Sequence, residues 1–269
     1  MDAISISTLP DWLDCPQRAL NDRNRVSRPS ARLSAGQAVG NATANVFAAM
    51  LNYAEQNKGR LSDDEAEHLA QQRIPDGVTE PRWDNMTPTR AAAIKQAVLL
   101  STQAAEHVIR IAEGDAIAAE VGVSRSVLKD PETVIQGRVD AVIGEPHDRQ
   151  VLLELKVVSE QPVDVREIPG NAAVQVAGYA LAMNTETTSD LRVIVASRKS
   201  GDVVVKSVPG QIVQHARKAA LIAAYTITKI PAAGRVFTDS GAIANPLSRR
   251  CFNCKYRATE HCSITRKII

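Results

Sequence analysis

Asp140, Glu154 and Lys156 are the residues of this 269-residue chain whose types and spacing most directly suggest chemistry. They fall in GRVDAVIGEPHDRQVLLELK, two alternating apolar runs joined by GEPHDR, which has the composition of a hairpin turn. Side chains two apart on a strand share a face. In the second run Val151, Leu153, Leu155 and Val157 form one apolar face, leaving Glu154 and Lys156 together on the other. In the first run Asp140 shares a face with Arg138 and Val142. A hairpin centred on His147 sets Asp140 opposite Glu154, with Cβ atoms about 5 Å apart. Two carboxylates then converge beside an ammonium group. Hard oxygen ligands of this kind suit Mg²⁺ or Mn²⁺, and such an ion polarises a phosphoryl oxygen and acidifies a bound water. An adjacent lysine can position that water or stabilise developing charge. An ordinary exposed Glu–Lys alternation has the same spacing. Against it, like charges set opposite one another are destabilising unless something offsets them.

The four cysteines are the second constellation. Cys15 lies near the start, and Cys251, Cys254 and Cys262 form a C-x2-C-x7-C array near the end. In a reducing compartment clustered cysteines suggest metal before disulfides. Zinc sites usually show two close cysteine pairs, and this chain has one. Four thiolates also hold a [4Fe–4S] cluster. The four cysteines suit either zinc or a cluster. Either way, tying residue 15 to residue 262 closes nearly the whole chain, worth about 5 kcal/mol by analogy with disulfide loop closure.

These residues need elements to hold them. The first third reads as helical: a short helix capped by Ser7 or Thr8 and running through Leu20, an alanine-rich helix over 36–57, a short one after Ser62, and a long one over 87–113. After Gly114 the pattern changes to three strands, a helix over 171–184, two strands joined at a Lys-Ser-Gly turn, and a helix over 209–230. That order predicts an α/β fold with a central mixed sheet flanked by helices.

Composition excludes several classes. The balance of 32 basic and 30 acidic residues leaves +2, so bulk charge makes no case for a polyanion partner. The charge is uneven, however. Arg18, Arg23, Arg25, Arg28 and Arg32 face only Asp22 in residues 15–35. Residues 247–269 hold six bases against Glu260, and residues 55–85 hold eight acids against four bases. If the cysteines share one centre, two basic segments meet, and such a patch can hold phosphates. With aromatics at 3%, recognition by stacking on many rings is disfavoured. No export signal or membrane span is evident, which predicts a cytoplasmic protein with no membrane partner.

The G-x-x-D element Gly137-Arg138-Val139-Asp140, followed by Glu154-Leu155-Lys156, resembles the core of the PD-(D/E)XK nuclease superfamily. Gln175 and Tyr179, one helical turn apart, resemble the Q-x-x-x-Y element of its RecB-like branch, and Glu120 sits where that branch often carries an acid. The resemblance implies a restriction-endonuclease-like core. It implies Asp140, Glu154 and the carbonyl of Leu155 as metal ligands, Lys156 serving the nucleophilic water, and Gln175 and Tyr179 lining the site or touching DNA. The split cysteines are similar to the iron–sulfur staple of the AddB nuclease and of the CRISPR-associated RecB-like exonucleases. There an S-x-S-x-L…C-P segment opens the domain, here Ser5, Ser7, Leu9, Cys15 and Pro16. The C-x7-C interval is longer than is usual there, which keeps zinc as an alternative to the cluster.

This reading implies a single nuclease domain over 1–269, divided into cluster-binding ends (1–34 with 247–269), a helical lobe (35–113) and a nuclease core (114–246). The expected activity is metal-dependent hydrolysis of single-stranded DNA or DNA ends, by an exonuclease that could work with protein partners in a DNA-processing complex. One element departs from the branch. Its G-x-x-x-H motif, where the histidine ligates metal, corresponds to Gly40–Ala44 here, with alanine in the histidine position and Asn41 and Asn45 nearby. The departure motivates a second expectation, a DNA-binding or scaffolding subunit with little activity. His68, His107 and His147 lie outside the motif and read as surface residues.

Overall fold

The computed structural model describes residues 2–23, 32–129, 132–145, 149–159, 168 and 170–228. The chain opens on a strand, β1 (Asp2–Ser5), that alternation over so few residues does not reveal. A 3-10 turn over Ile6–Thr8 leads into α1 (Leu9–Asp14) and α2 (Pro16–Arg23). The single helix expected through Leu20 is thus split at Cys15. That residue is extended, with φ −153° and ψ 97°, because a residue preceding proline is pushed out of the helical region.

Three helices follow: α3 (Ala35–Asn57), α4 (Asp63–Arg73) and α5 (Arg90–Ala112). Ser34 and Gln37 form a capping box at the start of α3, as do Ser62 and Glu65 at α4, and the Thr89 side chain caps α5. Each arrangement occupies N–H groups that a helix end otherwise leaves bare. Next come β2 (Ile117–Lys129), β3 (Glu132–Ile143), β4 (Val151–Val158), α6 (Gly170–Met183), β5 (Asp190–Ser197), β6 (Val203–Ser207) and α7 (Ile212–Thr228). The expected end of the last helix near residue 230 lies outside the described residues.

The six strands form one mixed sheet. β2 runs antiparallel along the full length of one edge of β3. The other edge of β3 is shared. β1 pairs parallel with its first part, as far as Ser5 with Gln136, and β4 pairs antiparallel with its last part, from Ala141 with Leu153 onward. Residues 137–140 lie in the gap between these two partners. The β3–β4 register is the one predicted by a hairpin centred on His147, which itself lies outside the described residues. Beyond, β5 is parallel to β4 and β6 antiparallel to β5.

Helices cover both faces. Val39, Phe47 and Leu100 of α3 and α5 share a core with Leu153, Leu155 and Ile194 of the sheet. Leu152, Val193 and Val195, alternating with these, pack on the other face against α1, α2, α6 and α7. Residues 35–113 are therefore one of the two helical layers over the sheet.

Candidate active site

The site lies in the gap on the edge of β3. Asp140 is half-buried, and the ladder to β4 has already ended at Leu153. Instead of a strand–strand bond, the Leu155 N–H donates to Asp140 Oδ2 at 2.7 Å. On the opposite side Glu120 stands level with Asp140 in the β2–β3 register, but the two are skipped as a pair. Glu120 has φ +53°, a left-handed conformation unusual for a residue with a side chain. Here both strands change face. Ala119 packs with α3–α5 while Val121 packs with α6–α7, and Val139 joins the α6–α7 core while Ala141 joins the other. Simple alternation was expected to group Arg138, Asp140 and Val142. That grouping fails, because the switch at residues 120 and 140 sends Val142 into the α6–α7 core. Arg138 stays exposed and pairs with Glu120 at 3.3 Å.

Glu154 is 2% exposed. Lys156 Nζ lies 2.5 Å from Glu154 Oε1 and donates to Gln175 Oε1 at 2.9 Å. Gln175 Nε2 in turn donates to the Tyr179 hydroxyl at 2.6 Å. The four side chains form one connected chain from β4 to α6. Glu154 Oε2 is buried with no hydrogen-bond partner among the described residues. Burial, then the negative charge of Asp140, pushes the Glu154 carboxyl up to about 8, against the pull of Lys156. Burial also raises Asp140, opposed chiefly by the Leu155 N–H. Burial and the nearby Glu154 carboxylate raise Tyr179, so its hydroxyl stays protonated.

Gly137 has a packing reason. A Cβ at this position would lie 2.9 Å from Tyr179 Cε1 and 3.1 Å from Ile6 Cβ. Only a glycine lets the Tyr179 ring and the 3-10 turn close on β3 beside Asp140.

All the strand and helix residues expected at a site line one open cleft of about 650 Å³: Glu120, Asp140, Glu154, Leu155, Lys156, Gln175 and Tyr179. Ser5 and Ser7, their hydroxyls 2.8 Å apart, line it as well. So do Gly40, Asn41 and Ala44 from α3, which puts alanine on the cleft wall. Asn45 does not turn toward the cleft, because its side-chain carbonyl accepts from Arg73 Nε at 3.0 Å. His68 is exposed and bonded to Gln72 on α4. Arg198, at the end of β5, lines the cleft and was not singled out from the sequence. Its one signal there is a charge ending the apolar run LRVIVAS.

The donor set fits a hard divalent cation. Two carboxylates are held together, one buried carboxylate oxygen lacks a partner, and the Leu155 carbonyl lies between Glu154 and Lys156 in sequence. Among the described residues no group of three or more His, Cys, Asp or Glu side chains converges. A cation here would rest on two carboxylates, backbone and water.

Cys15 is half-buried, between α1 and α2. Cys251, Cys254 and Cys262 lie outside the described residues, as do Arg25, Arg28 and the basic segment 247–269. Part of the N-terminal basic charge is locally neutralised. Arg18 pairs with Asp11, Asp14 and Asp22, and Arg23 pairs with Asp2 at 2.7 Å. No helix among the described residues is long and apolar enough to cross a membrane.

No protein-family model matches this chain, and neither does any curated protein. Among solved structures it is similar to the crystal structure of SSO0001, over 80% of this chain and 84% of that one, at 13% identity and a TM-score of 0.34. A likeness of that degree carries no argument.

Proposed function

We propose that the chain is a divalent-metal-dependent deoxyribonuclease with a restriction-endonuclease-like core, hydrolysing phosphodiester bonds of single-stranded DNA or at DNA ends. The observation that carries this reading is the pairing of Asp140 with a buried Glu154 whose Oε2 has no partner, beside Lys156, on an open cleft. Without an ion the pair is relieved by a proton on Glu154, whose carboxyl is pushed up to about 8, and a divalent cation would take the place of that proton. Asp140, Glu154 and the Leu155 carbonyl would hold Mg²⁺ or Mn²⁺. When bound, the ion supplies Lewis acidity at the phosphoryl oxygen and lowers the pKa of a water.

The rest of the chemistry falls to the chain's own groups. Lys156 donates to the attacking water and lies against the charge that develops on the phosphoryl group. Gln175 holds the Lys156 ammonium, and Tyr179 holds Gln175, so the donor is oriented before substrate arrives. A [4Fe–4S] cluster on Cys15, Cys251, Cys254 and Cys262, with zinc as the alternative, would staple the ends. In support, α7, the last described element before these three cysteines in sequence, packs on both α1 and α2, which flank Cys15.

Ala44 on the cleft wall favours a second reading, a nuclease-fold DNA-binding or scaffolding subunit with little activity. End-labelled single-stranded and duplex DNA, incubated with the full chain and Mg²⁺ or Mn²⁺, decides between them. Cleavage lost in EDTA and reduced on the order of 10²–10³-fold in Lys156→Ala supports the enzyme. Binding without cleavage across the metals supports the subunit. Full activity in a folded Lys156→Ala sinks the proposed mechanism.

A further inference from the structure

A buried arginine meets the start of α3 on the wall of the same cleft. The Arg198 side chain is 1% exposed, and its Nη2 pairs with Asp84 Oδ2 at 2.6 Å. Its Nε and Nη1 are buried with no hydrogen-bond partner among the described residues. Its backbone is pinned on both sides: the Arg198 N–H donates to the Val158 carbonyl at 2.9 Å, and Gln96 Nε2 donates to the Arg198 carbonyl at 2.5 Å. A guanidinium keeps its charge in any protein and offers its donors in a planar fork that matches a phosphate.

The first turn of α3 lies against this fork. The Ala35 N–H is taken by the Arg82 carbonyl, and the Gln37 N–H by Ser34 Oγ. The Gly36 N–H has no partner among the described residues, and Gly36 is only half-buried. A Cβ on Gly36 would sit 3.2 Å from Arg198 Nη1, so glycine is what lets helix and guanidinium meet. The positive end of a 23-residue helix and an underused cation therefore share one corner. Ser34, Gly36, Gln37 and Arg198 line the cleft that also holds Asp140 and Glu154.

We infer that this corner docks a backbone phosphate of the bound strand other than the scissile one, through Arg198 and the Gly36 N–H. The identity of the ligand rests on the nuclease reading above; the anion chemistry of the corner does not. A contact of this kind fixes the register of the strand against the carboxylates and carries no base preference.

The test uses the full chain in EDTA, so that binding is read without cleavage. Anisotropy of a labelled single-stranded oligonucleotide is measured for wild type, Arg198→Gln and Gly36→Ala, over a salt series. The oligonucleotide is also used with single neutral methylphosphonates walked along it. Binding is expected to weaken roughly tenfold in Arg198→Gln, and the log–log salt slope to shrink by about 0.7. One methylphosphonate position should harm wild type and no longer harm either variant. Wild-type binding with the same affinity and the same methylphosphonate profile in both variants overturns the corner and leaves the nuclease reading intact. If wild type binds no oligonucleotide in EDTA, cleavage with Mg²⁺ or Mn²⁺ decides whether the nuclease reading stands. Thermal stabilisation by pyrophosphate then decides: present in wild type and lost in both variants, it keeps the corner as an anion site; absent, it overturns it. Should Arg198→Gln fail to fold, Gly36→Ala, which adds one methyl group, tests the corner in its place.

Discussion

Lys156 Nζ lies 2.5 Å from one oxygen of Glu154, while the other oxygen of that carboxylate is buried and unpaired among the described residues. A single ammonium therefore serves a site that gathers two carboxylates. Burial first, and then the negative charge of Asp140, raises Glu154 against the pull of that ammonium, and several consequences can be measured.

The first is a pH dependence with a definite sign. The Glu154 carboxyl moves from an ordinary value of 4.5 up to about 8 on folding. Between those values the folded chain holds more protons than the unfolded one, so stability without metal is full below about 4.5 and falls as pH rises through 8. Asp140 shifts in the same direction. The thermal midpoint in EDTA should fall over this interval, and Glu154→Gln should flatten the curve. Mn²⁺ should stabilise most at the alkaline end, where the carboxylates need no proton removed to bind it. A midpoint in EDTA that climbs with pH, equally in wild type and Glu154→Gln, contradicts this account.

Gly137→Ala should be costly although it adds one methyl group. The new atom meets Tyr179 Cε1 at 2.9 Å and a backbone-proximal atom of Ile6 at 3.1 Å. Overpacking of this kind costs about 1–3 kcal/mol. Urea unfolding should register that loss. Nuclease activity should drop with it, because moving Tyr179 releases Gln175 and then Lys156.

Position 120 should reverse an ordinary rule. Glycine inside a strand is usually less stable than alanine. At φ +53° the order inverts, since any Cβ is strained there. Glu120→Gly should be more stable than Glu120→Ala by about 1 kcal/mol. Equal stabilities in chemical denaturation, or alanine ahead, would show that the face switch between β2 and β3 does not depend on that dihedral.

Cys15 supplies the check on the proposed cluster. Anaerobically purified protein should be brown, with iron and sulfide in equal amounts, and Cys15→Ser should lose the colour and lower the thermal midpoint. Colourless protein carrying one zinc supports the alternative staple.

Much of this architecture was legible in the residues. The helix after Ser62, the alternation of β4 and the hairpin register centred on His147 are local signals, and each has its counterpart in the structure. The missed features are set by tertiary contact. β1 is four residues long and exists because β3 offers it an open edge. The face switch at Glu120 and Asp140 follows a backbone dihedral that glutamate does not advertise. Arg198 reads as the end of a strand until Gly36 and Asp84, distant in sequence, are folded against it.

The divided edge of β3 also orders events in time. Ile4 pairs with Ile135, so β1 must wait until more than a hundred later residues have been made and β3 has formed. Closing so long a loop is among the slow steps of a fold. The carboxylates of β3 and β4 can come together through a local hairpin well before that. Ser5 and Ser7 therefore complete their wall of the cleft late, and a nascent chain carries the acidic pair before it carries a finished cleft around it.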